Sequence, residues 1–133
     1  MRPLLLVSVL SLCFVGCGSR LKLHKVTGTV KFPDGSVPQG EMATITFQPA
    51  NVMEGKPASS NLEQDGSFQL FTLDQRDGGA LAGDYRVIVH VTEDYPDLKF
   101  LVARKYADAR ETPLTATVKA SQKNHFDFEV EKP

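Results

Sequence analysis

The stretch Gly83-Asp84-Tyr85-Arg86-Val87-Ile88-Val89-His90-Val91-Thr92 carries the strongest strand signal in the chain. It is rich in β-branched residues and follows a glycine-rich run at 77–83, which is typical of a strand that starts from a tight turn. Alternate residues of a strand share one face, and here one face holds only large apolar or aromatic side chains: Tyr85, Val87, Val89 and Val91. The pattern predicts an interior strand with one fully buried face.

Six further segments have strand character and are separated by turn residues. Pro33-Asp34-Gly35-Ser36 and Asp65-Gly66 predict tight turns, because Pro fixes φ and Asp-Gly tolerates positive φ. Ser59–Glu63 is polar on both faces and is predicted to lie at a sheet edge. About seven strands in all predict an all-β fold, an antiparallel β-sandwich. The other five segments are Lys25–Phe32, Met42–Gln48, Ser67–Leu73, Leu114–Ala120 and His125–Val130.

The connection at 93–113 is long for a loop of a sandwich, so we expect it to be either functional or packed on the body. It contains several large side chains, among them Tyr95 and Tyr106. Leu98–Ala107 is compatible with a short helix over one edge of the sandwich. A packed flap is the favoured interpretation, and a ligand lid is the alternative.

Composition excludes some classes of protein. The chain has 133 residues and a formal net charge of −1, which fits one domain and no bulk charge imbalance. Its Lys and Arg residues are scattered, without a basic run beside aromatic residues, so no nucleic-acid partner is expected.

The N-terminal residues are predicted to form a helical signal peptide. Met1-Arg2 gives a short positive start, and Leu4–Val15 is an apolar stretch broken only by two serines. A membrane-spanning helix needs roughly 20 residues, so this stretch is too short and instead suits the apolar region of a secretory signal. The alternative is a buried N-terminal helix of the mature fold.

The end of that stretch, Phe14-Val15-Gly16-Cys17, resembles the lipobox of bacterial lipoproteins. The resemblance implies a diacylglyceryl group on the thiol of Cys17 and cleavage after Gly16. It divides the chain into a lipoprotein signal peptide at 1–16, a lipidated tether at 17–24 and a β-sandwich domain at 25–133. The membrane is then a partner through the acyl chains on Cys17, and Gly18 in place of Asp favours the outer membrane of the cell envelope. The alternative is a Cys13–Cys17 disulfide, or two free thiols, in a soluble protein.

Several short motifs follow one another in the rest of the chain. Their order resembles small bacterial lipoproteins with a carboxypeptidase regulatory-like, transthyretin-like domain. The resemblance implies a prealbumin-like sandwich, and it does not imply peptidase activity, because in peptidases this fold is an accessory to the catalytic domain. The motifs are Val26-Thr27-Gly28-Thr29-Val30, Thr44-Ile45-Thr46-Phe47-Gln48-Pro49, Asp65-Gly66-Ser67-Phe68, Gly83-Asp84-Tyr85-Arg86-Val87, Lys105-Tyr106-Ala107-Asp108, Thr112-Pro113-Leu114-Thr115 and Lys123-Asn124.

No catalytic or metal-binding pattern stands out. The three histidines, His24, His90 and His125, lack the spacing of zinc ligands. The segment Asp74-Gln75-Arg76-Asp77 offers oxygen ligands, but it is too short for the calcium loop of an EF-hand. No Gly-x-Ser-x-Gly elbow occurs. We therefore expect no catalytic residue, no metal and no cofactor, and predict that the protein is not an enzyme.

The sequence thus favours a non-catalytic, lipid-anchored β-sandwich protein of the cell envelope with a structural or binding role. The alternative is a module that binds an envelope glycan or peptide through the loops at 74–83 and 93–113. An enzyme would need His and carboxylate side chains that converge in one deep pocket. The candidate ligand residues of the two loops are Asp74, Asp77, Asp84, Tyr95 and Tyr106.

Overall fold

The computed structural model describes residues 22–72, 78–93 and 98–133, and these form β-strands with one short 3₁₀ helix. The predicted all-β class is confirmed, while the predicted signal peptide at 1–16 lies outside the described residues. The strands are β1 (Leu23–His24), β2 (Val26–Lys31), β3 (Met42–Pro49), β4 (Ala58–Asn61), β5 (Ser67–Gln69), β6 (Phe71–Thr72), β7 (Ala80–Leu81), β8 (Gly83–Glu93), β9 (Lys99–Phe100), β10 (Thr115–Val118) and β11 (Asn124–Glu129), and the 3₁₀ helix is Arg104–Ala107.

The larger sheet is built around β8. It has the order β10-β8-β3-β4-β6, and β9 pairs with the far end of β8 on the same side as β10. β8 and β3 are antiparallel from Met42 opposite Thr92 to Pro49 opposite Tyr85. The alternating apolar row of β8 is buried, which confirms that this segment is an interior strand.

The smaller sheet has the order β11-β2-β5, and it corrects the expectation of a purely antiparallel fold. β2 and β5 are antiparallel, but β11 runs parallel to β2, with His125 opposite Thr27 and Glu129 opposite Lys31. Because β11 and β2 are far apart in the chain, no hairpin turn constrains their relative direction. The alternation of apolar and polar residues along each strand does not indicate whether β2 and β11 are parallel or antiparallel either.

The two sheets share one core, which gives the molecule a sandwich-like character. Phe47 of β3 contacts Phe68, Phe126 and Phe128 of the smaller sheet, with ring centroids 5.8–6.2 Å apart. Within the smaller sheet, Gly28 of β2 leaves room for the Phe68 ring of the neighbouring strand β5, because a Cβ there would lie 2.6 Å from that ring. A third, two-stranded sheet pairs β1 with β7, so Leu23–His24, within the predicted tether, lies on the folded body.

Two predicted strand assignments change. The segment predicted as one strand at Ser67–Leu73 divides at Leu70, whose side chain is fully buried and whose N–H bonds to Val26 O at 3.0 Å. β5 before it belongs to the smaller sheet and β6 after it to the larger one, as happens where a strand turns a corner between packed sheets. β6 is the edge of the larger sheet, so the prediction that Ser59–Glu63 forms the edge is wrong: β4 lies between β3 and β6.

The described part of the long connection, 98–113, is a packed flap. It contains β9 and the 3₁₀ helix Arg104–Ala107 in place of the helix expected at 98–107. Val102 and Tyr106 are buried, and Thr112 Oγ1 donates to Val87 O at 2.7 Å. The N–H of Ala103 donates to Glu131 O at 3.0 Å. The flap therefore joins the β8 edge of one sheet to the chain that follows β11 of the other.

Candidate functional site

The sandwich has two ends, which β8 connects. The tether end consists of β1, Asp84 and the loop Ala50–Glu54, and the distal end consists of Phe32, Glu93 and β9. β8 has eleven residues, and at about 3.3 Å per residue its two ends are roughly 33 Å apart. Any site at one end is therefore separate from any site at the other.

The tether end contains an open cleft of about 580 Å³. Its lining includes cationic, acidic and uncharged polar side chains, namely Lys22, His24, Asn51, Glu54 and Asp84. The carboxylate of Asp84 accepts a hydrogen bond from Thr117 Oγ1 at 2.7 Å, and its backbone carbonyl accepts one from Ala50 N–H at 2.9 Å. These bonds fix the position of Asp84 in the wall of the cleft.

The floor of this cleft is made by Tyr85. Its hydroxyl donates to Leu81 O at 2.7 Å, and burial raises the pKa of the phenol. Tyr85 therefore stays neutral and structural at physiological pH. The described lining of the cleft can offer hydrogen bonds and weak ionic contacts to a small polar group.

The structure separates the predicted ligand residues. Asp84 lines the tether-end cleft, whereas Tyr106 is only 3% exposed, and its hydroxyl accepts the N–H of Glu131 at 3.2 Å. Tyr106 is thus a core residue of the flap. Asp74, Asp77 and Tyr95 lie outside the described residues, as do Gly16 and Cys17.

A feature that sequence analysis missed lies at the distal end. The Phe100 ring is stacked on His90, with centroids 5.5 Å apart, and the Arg104 guanidinium lies 4.7 Å from the same ring. Beside it is an open cavity of about 690 Å³, which is lined by Leu98, Lys99, Phe100, Ala103, Arg104 and Pro133. In the sequence, Phe100 and Arg104 are separated by four positions. This spacing predicts a contact between their side chains only once the conformation of the flap is known.

A row of polar side chains crosses the outer face of the smaller sheet. Thr27 Oγ1 lies 3.0 Å from His125 Nδ1, and His125 Nε2 lies 3.1 Å from Asp127 Oδ1. The same carboxylate oxygen accepts a 2.7 Å bond from Thr29 Oγ1, which is the main reason that the pKa of Asp127 is lowered. The His125 side chain is 42% exposed.

The order hydroxyl, imidazole, carboxylate in this row is that of a hydrolase triad. The Asp127 side chain is 67% exposed, and neither His125 nor Asp127 lines the cleft or cavity at the two ends. Water competes for every bond on such an open face. The row is therefore best explained as cross-strand pairing between β2 and β11.

The described residues contain no group of three or more His, Cys, Asp or Glu side chains placed to hold a metal ion. Within the same residues, no helix has the length and apolar character needed to cross a bilayer.

Comparison with known proteins adds no relative: no family model, curated protein or solved structure matches the chain significantly.

Proposed function

We propose that this protein is a non-catalytic β-sandwich held at the bacterial cell envelope by lipid on Cys17, with a structural or binding role. The observation that carries the proposal is the sequence Phe14-Val15-Gly16-Cys17 at the end of a short apolar stretch. Each buried CH₂ contributes about 0.8 kcal/mol, so two or three acyl chains on one cysteine hold a protein durably at a bilayer. Gly18 favours the outer membrane as the site of the anchor.

The proposed fold family is the carboxypeptidase regulatory-like, prealbumin-like sandwich. Two sheets that pack around Phe47 support it, as does a flap that closes one side between them. The proposal that the protein is not an enzyme is supported by the exposed setting of the His125–Asp127 pair. It is also supported by the structural role of Tyr85 in the tether-end cleft.

The anchor can be tested with the two cysteines of the chain, because each serves as the control for the other. The full-length protein, Cys13→Ala and Cys17→Ala are expressed in a bacterium that matures lipoproteins, and labelled palmitate is supplied. We expect label in the wild type and in Cys13→Ala and none in Cys17→Ala. Equal label in Cys17→Ala and the wild type would exclude lipidation at Cys17.

The second candidate function is recognition of an envelope glycan or peptide at the distal end. The observation that favours it is the Phe100 ring, held between His90 and Arg104 beside an open cavity. Cationic donors such as Lys99 and Arg104 that line a cavity beside apolar side chains suit anionic glycans and peptides. β7, the described part of the other candidate loop at 74–83, pairs with β1 at the tether end, so this candidate function is proposed for the distal end alone.

Glycan and peptide arrays probed with the full mature protein test this second function. Arg104→Ala and Lys99→Ala should each weaken any specific signal several-fold. Lys119→Ala, an exposed lysine next to β10 at the tether end, is the matched control and should leave the signal unchanged. A folded protein that gives no signal on either array would contradict recognition at the distal end.

A further inference from the structure

The loop Ala50–Glu54 at the tether end exposes two adjacent apolar side chains. Val52 is 66% exposed and Met53 is 89% exposed, the two largest values among the large hydrophobic residues that the structure describes. Such residues are ordinarily drawn toward a core or a partner when they stand side by side. Met is also flexible and polarisable, which suits contact with an irregular apolar phase.

The loop is held in a defined turn and is not a loose excursion of the chain. Asn51 Oδ1 accepts the N–H of Met53 at 3.2 Å, and Asn51 O accepts the N–H of Glu54 at 3.2 Å. The base of the loop is fixed by the bond from Ala50 N–H to Asp84 O, at 2.9 Å. The turn therefore holds Val52 and Met53 at its tip, with the N–H groups of Met53 and Glu54 bonded to Asn51.

The same end of the molecule is tied to Cys17 by a very short stretch of chain. Asn51 and Glu54 line one cleft together with Lys22 and His24. Only four residues separate Cys17 from Lys22. Because a chain spans at most about 3.6 Å per residue, Lys22 lies within roughly 18 Å of Cys17. Lipid on Cys17 would keep the loop tip close to the bilayer surface whatever the path of the tether.

We propose that Val52 and Met53 form a second contact with the bilayer that anchors Cys17, and that they insert among the lipid head groups. This inference rests on the proposed lipid anchor. An amphipathic surface of this kind buries its apolar side at the boundary between head groups and acyl chains. Two points of attachment fix the orientation of the body. β8 then extends away from the membrane, and the distal end with Phe100 and Arg104 faces outward.

The chain contains no Trp, so one introduced Trp reports on its own position without background. Met53→Trp places the probe at the loop tip. Leu98→Trp is the matched control, because Leu98 is also an exposed large apolar residue, 58% exposed, at the other end of the body. Both lipidated, full-length mature proteins are reconstituted into phosphatidylethanolamine–phosphatidylglycerol vesicles, with and without brominated lipids.

We expect the Met53→Trp emission to shift to the blue on reconstitution and to lose intensity with brominated lipids. We expect the Leu98→Trp emission to show neither change. A Met53→Trp chain that starts at Gly18 lacks both the signal peptide and Cys17, and it should not be quenched, because two side chains alone hold the protein too weakly. A Trp has its own preference for the interface, and the Leu98→Trp control corrects for it.

Three results would overturn the inference, and they separate it from the anchor. If Met53→Trp stays unquenched while the protein sediments with the vesicles, the anchor stands and the second contact does not exist. If the emission of Met53→Trp is already blue-shifted without vesicles, another protein surface covers the loop. If the mature protein carries no lipid on Cys17 and stays in solution, both the anchor and the second contact fail.

Discussion

Phe47 is the residue on which the two sheets meet. Its ring lies 5.7–6.2 Å from the rings of Tyr85, Phe68, Phe126 and Phe128, in tilted or edge-on arrangements that aromatic pairs prefer. These neighbours come from both sheets, so the Phe47 ring contacts the two sheets at once. The sequence predicted a strand at Met42–Gln48, but it did not mark Phe47 as the contact between the two sheets.

Replacing Phe47 should therefore be costly. We expect Phe47→Ala to lower the free energy of unfolding by about 3–5 kcal/mol, the usual loss for a large aromatic residue in a core. Phe71→Ala is the control, because Phe71 is half-exposed on the edge strand β6, and it should cost well under half as much. Urea denaturation of the mature protein measures both. Similar losses for the two variants would contradict the central place of Phe47.

At position 28 there is no room for a side chain, so a glycine is needed. At position 35 there is room, but the backbone has a positive φ that favours glycine. A Cβ at Gly28 would overlap the carbonyl oxygen of Phe126 and the ring of Phe68. Gly35 has φ of +85° and nothing within 4 Å of its ideal Cβ position. We expect Gly28→Ala to cost about 3 kcal/mol through overpacking, and Gly35→Ala about 1–2 kcal/mol through left-handed strain. Equal denaturation midpoints for the two variants would show that β5 and β11 are not closely packed around Gly28.

At the level of elements, two turns repeat the same chemistry. Asp34-Gly35-Ser36 and Asp65-Gly66-Ser67 each have a glycine with positive φ, and in each the serine N–H bonds to the aspartate at 2.9 Å. The serine hydroxyl bonds to the same oxygen. Both turns were predicted from sequence, because Asp, Gly and Ser at these positions determine the local structure without help from the rest of the fold.

These bonds should be visible in the titration of the aspartates. The hydrogen bond from the Ser67 side chain is the main reason that the pKa of Asp65 lies below its ordinary value of 3.8. A lowered carboxyl pKa stabilises the fold above the ordinary value, and this contribution is lost as the pH falls through the folded-state pKa. We expect Ser67→Ala to raise the pKa of Asp65 toward 3.8 in an NMR titration. Asp34 in the same spectrum is the control, and a matching rise there would show a global change instead.

Asn124 stabilises the turn that connects β10 of the larger sheet to β11 of the smaller sheet. Its side chain bonds to Lys119 N–H at 2.9 Å, Lys119 O at 3.0 Å and Gln122 O at 3.3 Å. Because the residue is buried, Asn124→Ala leaves backbone groups without partners and should cost about 1–3 kcal/mol. Gln122→Ala keeps the carbonyl and should change the unfolding midpoint little. An unchanged midpoint for Asn124→Ala would contradict a role in joining β10 to β11.

Other elements could not be assigned from sequence, and the reasons are physical. The segment at 67–73 has continuous strand character, so nothing local marks Leu70 as the point where the chain changes sheets. The 3₁₀ helix Arg104–Ala107 is fixed by distant partners such as Glu131 O, which bonds to Ala103. A helix was predicted at 98–107 because local propensity cannot register contacts that form only once the body is folded.

At the scale of the whole molecule, sequence patterns specified the class of fold better than its connectivity. Alternation identified Tyr85, Val87, Val89 and Val91 as the inward face of β8, and these side chains are buried. The parallel pairing of β11 with β2 joins the ends of the chain, and no pattern within either strand encodes a partner about 100 residues away. The predicted ligand residue Tyr106 failed for a related reason, since its hydroxyl is used by Glu131.

The two ends of the body have different proposed roles, attachment at the tether end and recognition at the distal end. The tether end carries the short connection to Cys17 and the exposed pair Val52 and Met53, while the distal end carries the Phe100–Arg104 stack. A protein attached through the first end presents the second to its surroundings. All of these assignments depend on the lipid at Cys17.

Intact mass and N-terminal fragment analysis of the mature protein, purified from bacterial membranes, tests that dependence most directly. The account predicts a chain that begins at Cys17 and carries a thioether-linked diacylglyceryl group on that residue. A mature chain that begins upstream of Cys17, or that begins there with an unmodified thiol, would contradict it.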